Sequence, residues 1–175
     1  MLFPLITERL IIEPLTLADL RTFVSYRRDP AIARFQGWET TYSDVDAREL
    51  IESQAGRSLP EKGQWLQLAI HERVRGALVG DLALHSVADG DAVFEIGFTV
   101  AQKFHAQGFA KEAASSLMSY LLTEAGAAKF VAKTDRRNMA SVKLLEALGF
   151  ECVQSRSWTE HFKNEEVTMD YFETC

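Results

Sequence analysis

The chain has 175 residues, 47% of them apolar and 25% charged, with a formal net charge of −6. That length suits one domain over residues 1–175, with a core large enough for an independently stable fold. The acidic balance argues against nucleic acid as the main ligand, because phosphate neutralisation needs a basic surface; it is compatible with a cationic substrate.

No stretch approaches the ~18 consecutive apolar residues of a membrane span, so no membrane association is expected. Residues 1–6 (MLFPLI) lack a basic flank and a long apolar run, and Glu8 and Arg9 soon interrupt them. No secretory signal is expected, and the expected location is the cytoplasm. Two cysteines, Cys152 and Cys175, make a disulfide framework implausible. Cys152 lies in a strand-like run and is expected to be a small buried residue. His71-Glu72 opens like a zinc-protease helix but has no second His at the required spacing, so no metal is expected.

In chain order, residues 9–14 (RLIIEP) read as a short strand. Thr16 followed by Asp19 resembles a capping box ahead of a helix running to Arg27. Ser43 and Asp46 repeat the signal before a helix carrying Leu50 and Ile51. Residues 65–71 and 79–84, joined by a basic turn around Gly76, read as an antiparallel hairpin. A second turn is expected at residues 88–91, and a strand at residues 93–100 (VFEIGFTV). A polar loop then ends at Gly108. Residues 109–125 place Ala110, Ala113, Ala114, Leu117, Tyr120 and Leu121 on one helical face. Residues 129–134 read as a strand, and Asn138 opens a helix with Val142, Leu145 and Leu148. Residues 150–158 and 165–172 read as two last strands with a turn at Lys163-Asn164. The single strand–loop–helix–strand crossover predicts a mixed α/β, mostly antiparallel sheet with one parallel or splayed pair.

The sharpest local signal is residues 104–113 (FHAQGFAKEA). A strand runs into a loop, and Gly108-Phe109-Ala110 opens a helix. A helix start offers unsatisfied N–H groups and the positive end of the dipole, which together bind phosphate. Gly108 permits close backbone approach, and Lys103, His105 and Lys111 add positive charge; Arg136, Arg137 and Lys143 cluster further on. On these residues alone, an ordinary tight turn before an Ala-rich helix remains open. A P-loop is excluded by the missing Gly-Lys-Ser/Thr end, and a Rossmann fingerprint by the single Gly.

The run is similar to the acetyl-CoA pyrophosphate motif of the GNAT superfamily of N-acetyltransferases, Gln/Arg-x-x-Gly-x-Gly/Ala, with His105 standing where Gln or Arg is usual. Residues 7–15 (TERLIIEPL), 95–98 (EIGF), 138–150 (NMASVKLLEALGF) and 163–172 resemble, in that order, segments of the branch typified by the ribosomal-protein N-terminal acetyltransferases (RimJ/RimL-like). The resemblance implies a six- or seven-stranded sheet with a V-shaped central opening and about four helices. It implies acetyl-CoA as cosubstrate, with pantetheine along Phe98, Thr99 and Val100. The pyrophosphate would lie on Lys103, His105, Ala106, Gln107, Gly108, Phe109, Ala110 and Lys111, and Asn138 and Ser141 would face the cofactor.

Acetyl transfer to an amine needs a neutral amine, a polarised carbonyl and a stabilised leaving thiolate. Glu95 is the candidate base and amine anchor. Many relatives protonate the thiolate with a Tyr seven residues after the Asn; that position here is Leu145. Ser141 lies three after Asn138 and on the same helical side, and the resemblance to the RimJ/RimL-like branch, where a Ser at that spacing meets the thiol, implies that it is the thiolate partner. Phe35, Trp38 and Tyr42 are candidates for lining the acceptor site. The acceptor expected is the α-amine of a protein or peptide N-terminus. Alternatives are a small amine (aminoglycoside, polyamine or amino-acid-like) or a CoA-binding module without turnover. Edge strands near the C-terminus make a homodimer conceivable.

Overall fold

The computed structural model describes residues 3–87 and 92–175. The turn expected at residues 88–91 lies outside them. The elements in order are β1 (Leu5–Ile6), β2 (Leu10–Pro14), α1 (Leu20–Arg27), α2 (Pro30–Ala33), α3 (Asp44–Ser53), β3 (Trp65–Glu72), β4 (Leu78–Ser86) and β5 (Val93–Val100). There follow α4 (Phe109–Glu124), β6 (Lys129–Asp135), α5 (Met139–Ala147), β7 (Glu151–Cys152), β8 (Trp158–Phe162) and β9 (Glu165–Glu173). The strands form one sheet in the order β1-β2-β3-β4-β5-β6-β9-β7, with β8 beside β9. Nine strands and five α-helices among the described residues exceed the expected count because short pieces add to it. Strands β1 and β7 have two residues each, and α2 has four.

The sheet is antiparallel except for β5 and β6. That parallel pair holds only three rungs, Val93↔Lys129, Phe94↔Phe130 and Glu95↔Val131. Beyond them β5 stays on β4 through Val100, while residues 131–135 of β6 pair with β9. The two central strands therefore part after Glu95, which is the expected V.

Period-two alternation sends the two sides of each strand into different cores. Leu66, Leu68, Ile70, Leu82, Leu84, Phe94 and Ile96 pack against Ala113, Ala114, Leu117 and Leu121 of α4. On the opposite face Ala69, Leu78 and Ala101 meet Phe23, Val24 and Tyr26 of α1 and Ala47 and Ile51 of α3. That face also buries a charge. Asp81 is fully buried and accepts from the Tyr26 hydroxyl, from Gln67 Nε2 at 2.6 Å and from Arg27 Nη2 at 3.5 Å. The Arg27 guanidinium lies 3.8 Å over Trp38 and 4.1 Å over Phe23. A buried carboxylate is tolerable only with such partners.

Local signals fare unevenly. Ser43 and Asp46 form the full reciprocal capping box of α3. Thr16 and Asp19 do not cap α1 in that way. The Asp19 carboxylate takes both the Thr16 N–H and hydroxyl, each at 2.9 Å, so no hydroxyl accepts from the helix, which starts only at Leu20. Residues 150–158 are not one strand. Strand β7 stops at Cys152, a 3₁₀ turn covers Gln154–Arg156, and β8 resumes at Trp158. Cys152 is exposed, not buried, because β7 is a two-residue edge strand with both residues on the surface. The turn expected at Lys163-Asn164 is present, both residues having positive φ (49° and 63°).

Candidate active site

The loop after β5 is built by its backbone. A 3₁₀ turn at Gln102–Phe104 follows Val100, and His105 Nε2 donates to the Val100 carbonyl at 2.7 Å. The imidazole therefore pins the loop to the strand end, leaving Nδ1 as its remaining polar atom. Ala106 (φ 59°) and Gly108 (φ 78°) are both left-handed, the backbone pattern that gathers successive N–H groups into an anion-binding nest. Gly108 is the N-cap of α4 and supplies no side-chain cap. The first N–H of this turn with a backbone partner is that of Glu112, on the Gly108 carbonyl at 3.0 Å. Among the described residues, nothing accepts from the N–H groups of residues 106–111.

Two residues from the start of the chain hold this loop. Arg9 Nη1 donates to the Gln107 carbonyl at 2.9 Å, and Arg9 Nε donates to Glu112 Oε2 at 2.7 Å. Thr7 Oγ1 and the Arg9 N–H donate to Glu112 Oε1 at 2.6 and 3.0 Å. The Arg9 guanidinium also lies 4.6 Å over the Phe109 ring. Burial pushes the Glu112 carboxyl up, but the bonds from Thr7 and Arg9 outweigh it and hold it below the usual value.

A cavity of about 680 Å³ opens beside this loop. Strand β5 contributes Phe98, Thr99 and Val100 to its wall, at the edge left unpaired by the V. The loop and α4 contribute His105, Ala106, Gly108, Phe109, Ala110 and Lys111. Ser141 of α5 and its N-cap Asn138 stand opposite, and Phe35 closes the side nearest α2. The Asn138 side chain accepts from the Ser141 N–H at 3.3 Å, so it caps α5 while its amide nitrogen stays available.

Five expected residues are not on this wall. Lys103 is exposed, its Nζ 4.9 Å over the Phe104 ring. Gln107 turns its side-chain amide to the Lys103 carbonyl at 3.2 Å. Trp38 donates Nε1 to the Arg27 carbonyl at 3.0 Å, and Tyr42 packs edge-on against Phe23; both belong to the core around Arg27. Glu95, 9% exposed, stands at the last rung before the strands part, on the strand face it shares with Thr99 but short of the wall. Its Oε2 accepts from Lys133 Nζ at 2.9 Å and lies 3.5 Å from His85 Nδ1.

Arg136 and Arg137, expected near phosphates, are committed elsewhere. Arg136 forks onto Asp170, and Arg137 onto Asp135 and Glu165. These guanidiniums hold the Asp170 and Asp135 carboxyls below their usual values. Sequence reasoning missed Ile32, Phe104 and Leu144 on the wall and the Arg9–Glu112 clamp. Leu144 had a signal, since it lies three residues after Ser141 on the same helical side. Arg9 and Glu112 had none, being 103 residues apart.

A run of unsatisfied amides at a helix start, an open strand edge and a cavity between them suit an elongated phosphorylated ligand. Residues 9–151 match the family described as the acetyltransferase (GNAT) domain. The chain belongs to the GNAT acetyltransferases. Among curated relatives, the uncharacterised N-acetyltransferase p20 of Bacillus licheniformis is 28% identical over 148 residues, 84% of this chain and 82% of that one. A GNAT-family acetyltransferase from Bacillus anthracis superposes with a TM-score of 0.85 at 20% identity, covering 98% of this chain and 97% of that one. Spermidine N-acetyltransferase from Vibrio cholerae, in complex with CoA and spermine, gives 0.77 at 18% identity over 94% and 95%. This GNAT protein is thus an N-acetyltransferase. Acetyl-CoA is the family's acetyl donor, and the orphaned amides of residues 106–111 suit its pyrophosphate. No metal-binding group of His, Cys, Asp or Glu occurs among the described residues. No helix there is long and apolar enough to cross a membrane.

Proposed function

We propose that the enzyme acetylates the α-amine of a peptide or protein N-terminus. The observation that carries this reading is that the carboxylates around the opening already hold cations. Glu95 holds Lys133, Asp135 holds Arg137 and Asp170 holds Arg136. A polycationic acceptor would have to displace these resident cations, whereas a single amine needs only a proton acceptor. An α-amine, with pKa about 8, offers far more neutral nucleophile at pH 7 than a lysine amine at about 10.4.

In this reading acetyl-CoA lies in the cavity, with its pyrophosphate on the amides of residues 106–111 and its arm along residues 98–100. Glu95 accepts the amine proton, through water because Lys133 holds one of its oxygens. The Ser141 hydroxyl, half-buried on the cavity wall, hydrogen-bonds the departing thiolate. The test is a peptide with a free N-terminus and one internal lysine, incubated with acetyl-CoA and sequenced by mass spectrometry. Acetyl on the α-amine is expected; acetyl on the lysine instead would overturn the acceptor assignment.

A further inference from the structure

The β6 arm of the opening carries an amine of its own. Lys133 lies two residues beyond Val131, the last β6 residue paired with β5, so it shares a sheet face with Glu95. Its Nζ donates to Glu95 Oε2 at 2.9 Å, while the side chain is 40% exposed. From β4, His85 Nδ1 is buried without a hydrogen-bond partner, 3.5 Å from the same Oε2. The lysines Lys129 and Lys163 also meet carboxylates, but those of Glu173 and Glu39.

A general base must lie within about 2.6–3.2 Å of the group whose proton it takes, or act through one water. Lys133 meets the direct condition on Glu95. We infer that Lys133 is an internal acceptor, so that in the absence of an external amine the enzyme acetylates its own Lys133. The inference rests on Glu95 being the base in the function proposed above.

The step balances. The Lys133 ammonium gives one proton to Glu95, and the freed nitrogen forms a C–N bond to the thioester carbonyl carbon. The C–S bond breaks, and the CoA thiolate takes up the second proton lost by the nitrogen. Glu95 returns its proton to solvent, leaving N-acetyl-Lys133 and CoA. The acetylated side chain is uncharged, so Glu95 loses its resident cation. An external ammonium then meets no competitor for that carboxylate.

The experiment incubates the full chain with acetyl-CoA and no amine, then maps acetyl-lysine over time by peptide mass spectrometry. Lys133 is expected to acquire acetyl on the order of 100-fold faster than exposed Lys103, Lys111 and Lys143, the scale of a positioned base. The rate per chain should not depend on protein concentration. Glu95→Gln should bring Lys133 down to the rate of those lysines, with its acetyl-CoA binding reporting that it is folded. Labelling of Lys133 no faster than its neighbours, labelling unchanged in Glu95→Gln, or a rate that rises with protein concentration overturns the inference. A peptide N-terminus acetylated in parallel separates two failures. If the peptide is acetylated and Lys133 is not, the inference alone falls; if neither is, the proposed function falls with it.

Discussion

Glu95 occupies the rung where β5 and β6 separate, and it is buried on the face opposite the cavity-facing Phe98. The role proposed for it is separable from acetyl-CoA binding. Glu95→Gln is expected to lower turnover by about 100-fold, most at low pH, where the acceptor amine is most protonated. The Kd for acetyl-CoA should stay near the wild-type value, measured by calorimetry. Gly80 is a second residue whose identity is dictated locally. A Cβ there would stand 2.1 Å from the Thr99 carbonyl oxygen. Gly80→Ala must therefore push β4 and β5 apart, and overpacking of this kind costs about 1–3 kcal/mol. Denaturant unfolding of that variant reads the loss, and unchanged stability would mean the two strands have slack.

At the scale of elements, the turn that opens α4 is held from outside. The β1–β2 corner supplies Thr7 and Arg9, which grip Glu112 and the Gln107 carbonyl across most of the chain's length. Arg9→Ala is expected to loosen the turn and raise the Kd for acetyl-CoA about tenfold, some 1.4 kcal/mol. The maximal rate at saturating acetyl-CoA should be largely kept. A rate lost at saturation, with Kd unchanged, would place Arg9 in the chemistry instead. The turn itself was legible in the sequence, because Gly108 ahead of a small-residue helix face is a local pattern. Its clamp was not, because a pair so distant in sequence leaves no periodic trace. The break of residues 150–158 into β7, a 3₁₀ turn and β8 was hidden for a related reason. The Ser157 hydroxyl bond to Asp170 at 2.9 Å and the Val153 N–H bond to Tyr171 are tertiary, and they override a run with strand-like composition.

For the whole molecule, the junction of α1 with the sheet is a titrating one. His71 Nε2 lies 2.7 Å from Asp19, and its Nδ1 lies 3.0 Å from Glu13. The bond to Asp19 raises the His71 pKa despite the opposing effect of burial. Burial pushes the Asp19 carboxyl up, but the bonds from His71 and Thr16 bring it below its usual value. The histidine contribution is full below the ordinary imidazole value of about 6.5 and fades as pH rises through the raised folded value. The aspartate contribution is present above about 3.9 and is lost as pH falls through the lowered folded value. The melting temperature of wild type should therefore exceed that of His71→Gln most in slightly acidic solution, with the gap narrowing above neutrality. A gap independent of pH would assign His71 a packing role alone.

The mixed sheet, its parallel central pair and the order of helices were readable from periodicity and from one crossover. The acceptor side was harder to read. Trp38 and Tyr42 looked like pocket aromatics, yet they wrap the buried Arg27–Asp81 pair, a demand that no local pattern announces.

The most direct measurement is thiol release from acetyl-CoA across a panel of N-terminal peptides, aminoglycosides, polyamines and amino acids. Amine-dependent release, with the highest kcat/KM for a peptide N-terminus, is the expected result. Tight acetyl-CoA binding without release for any amine would contradict transfer to the amines proposed, and faster release with polyamines would contradict the acceptor.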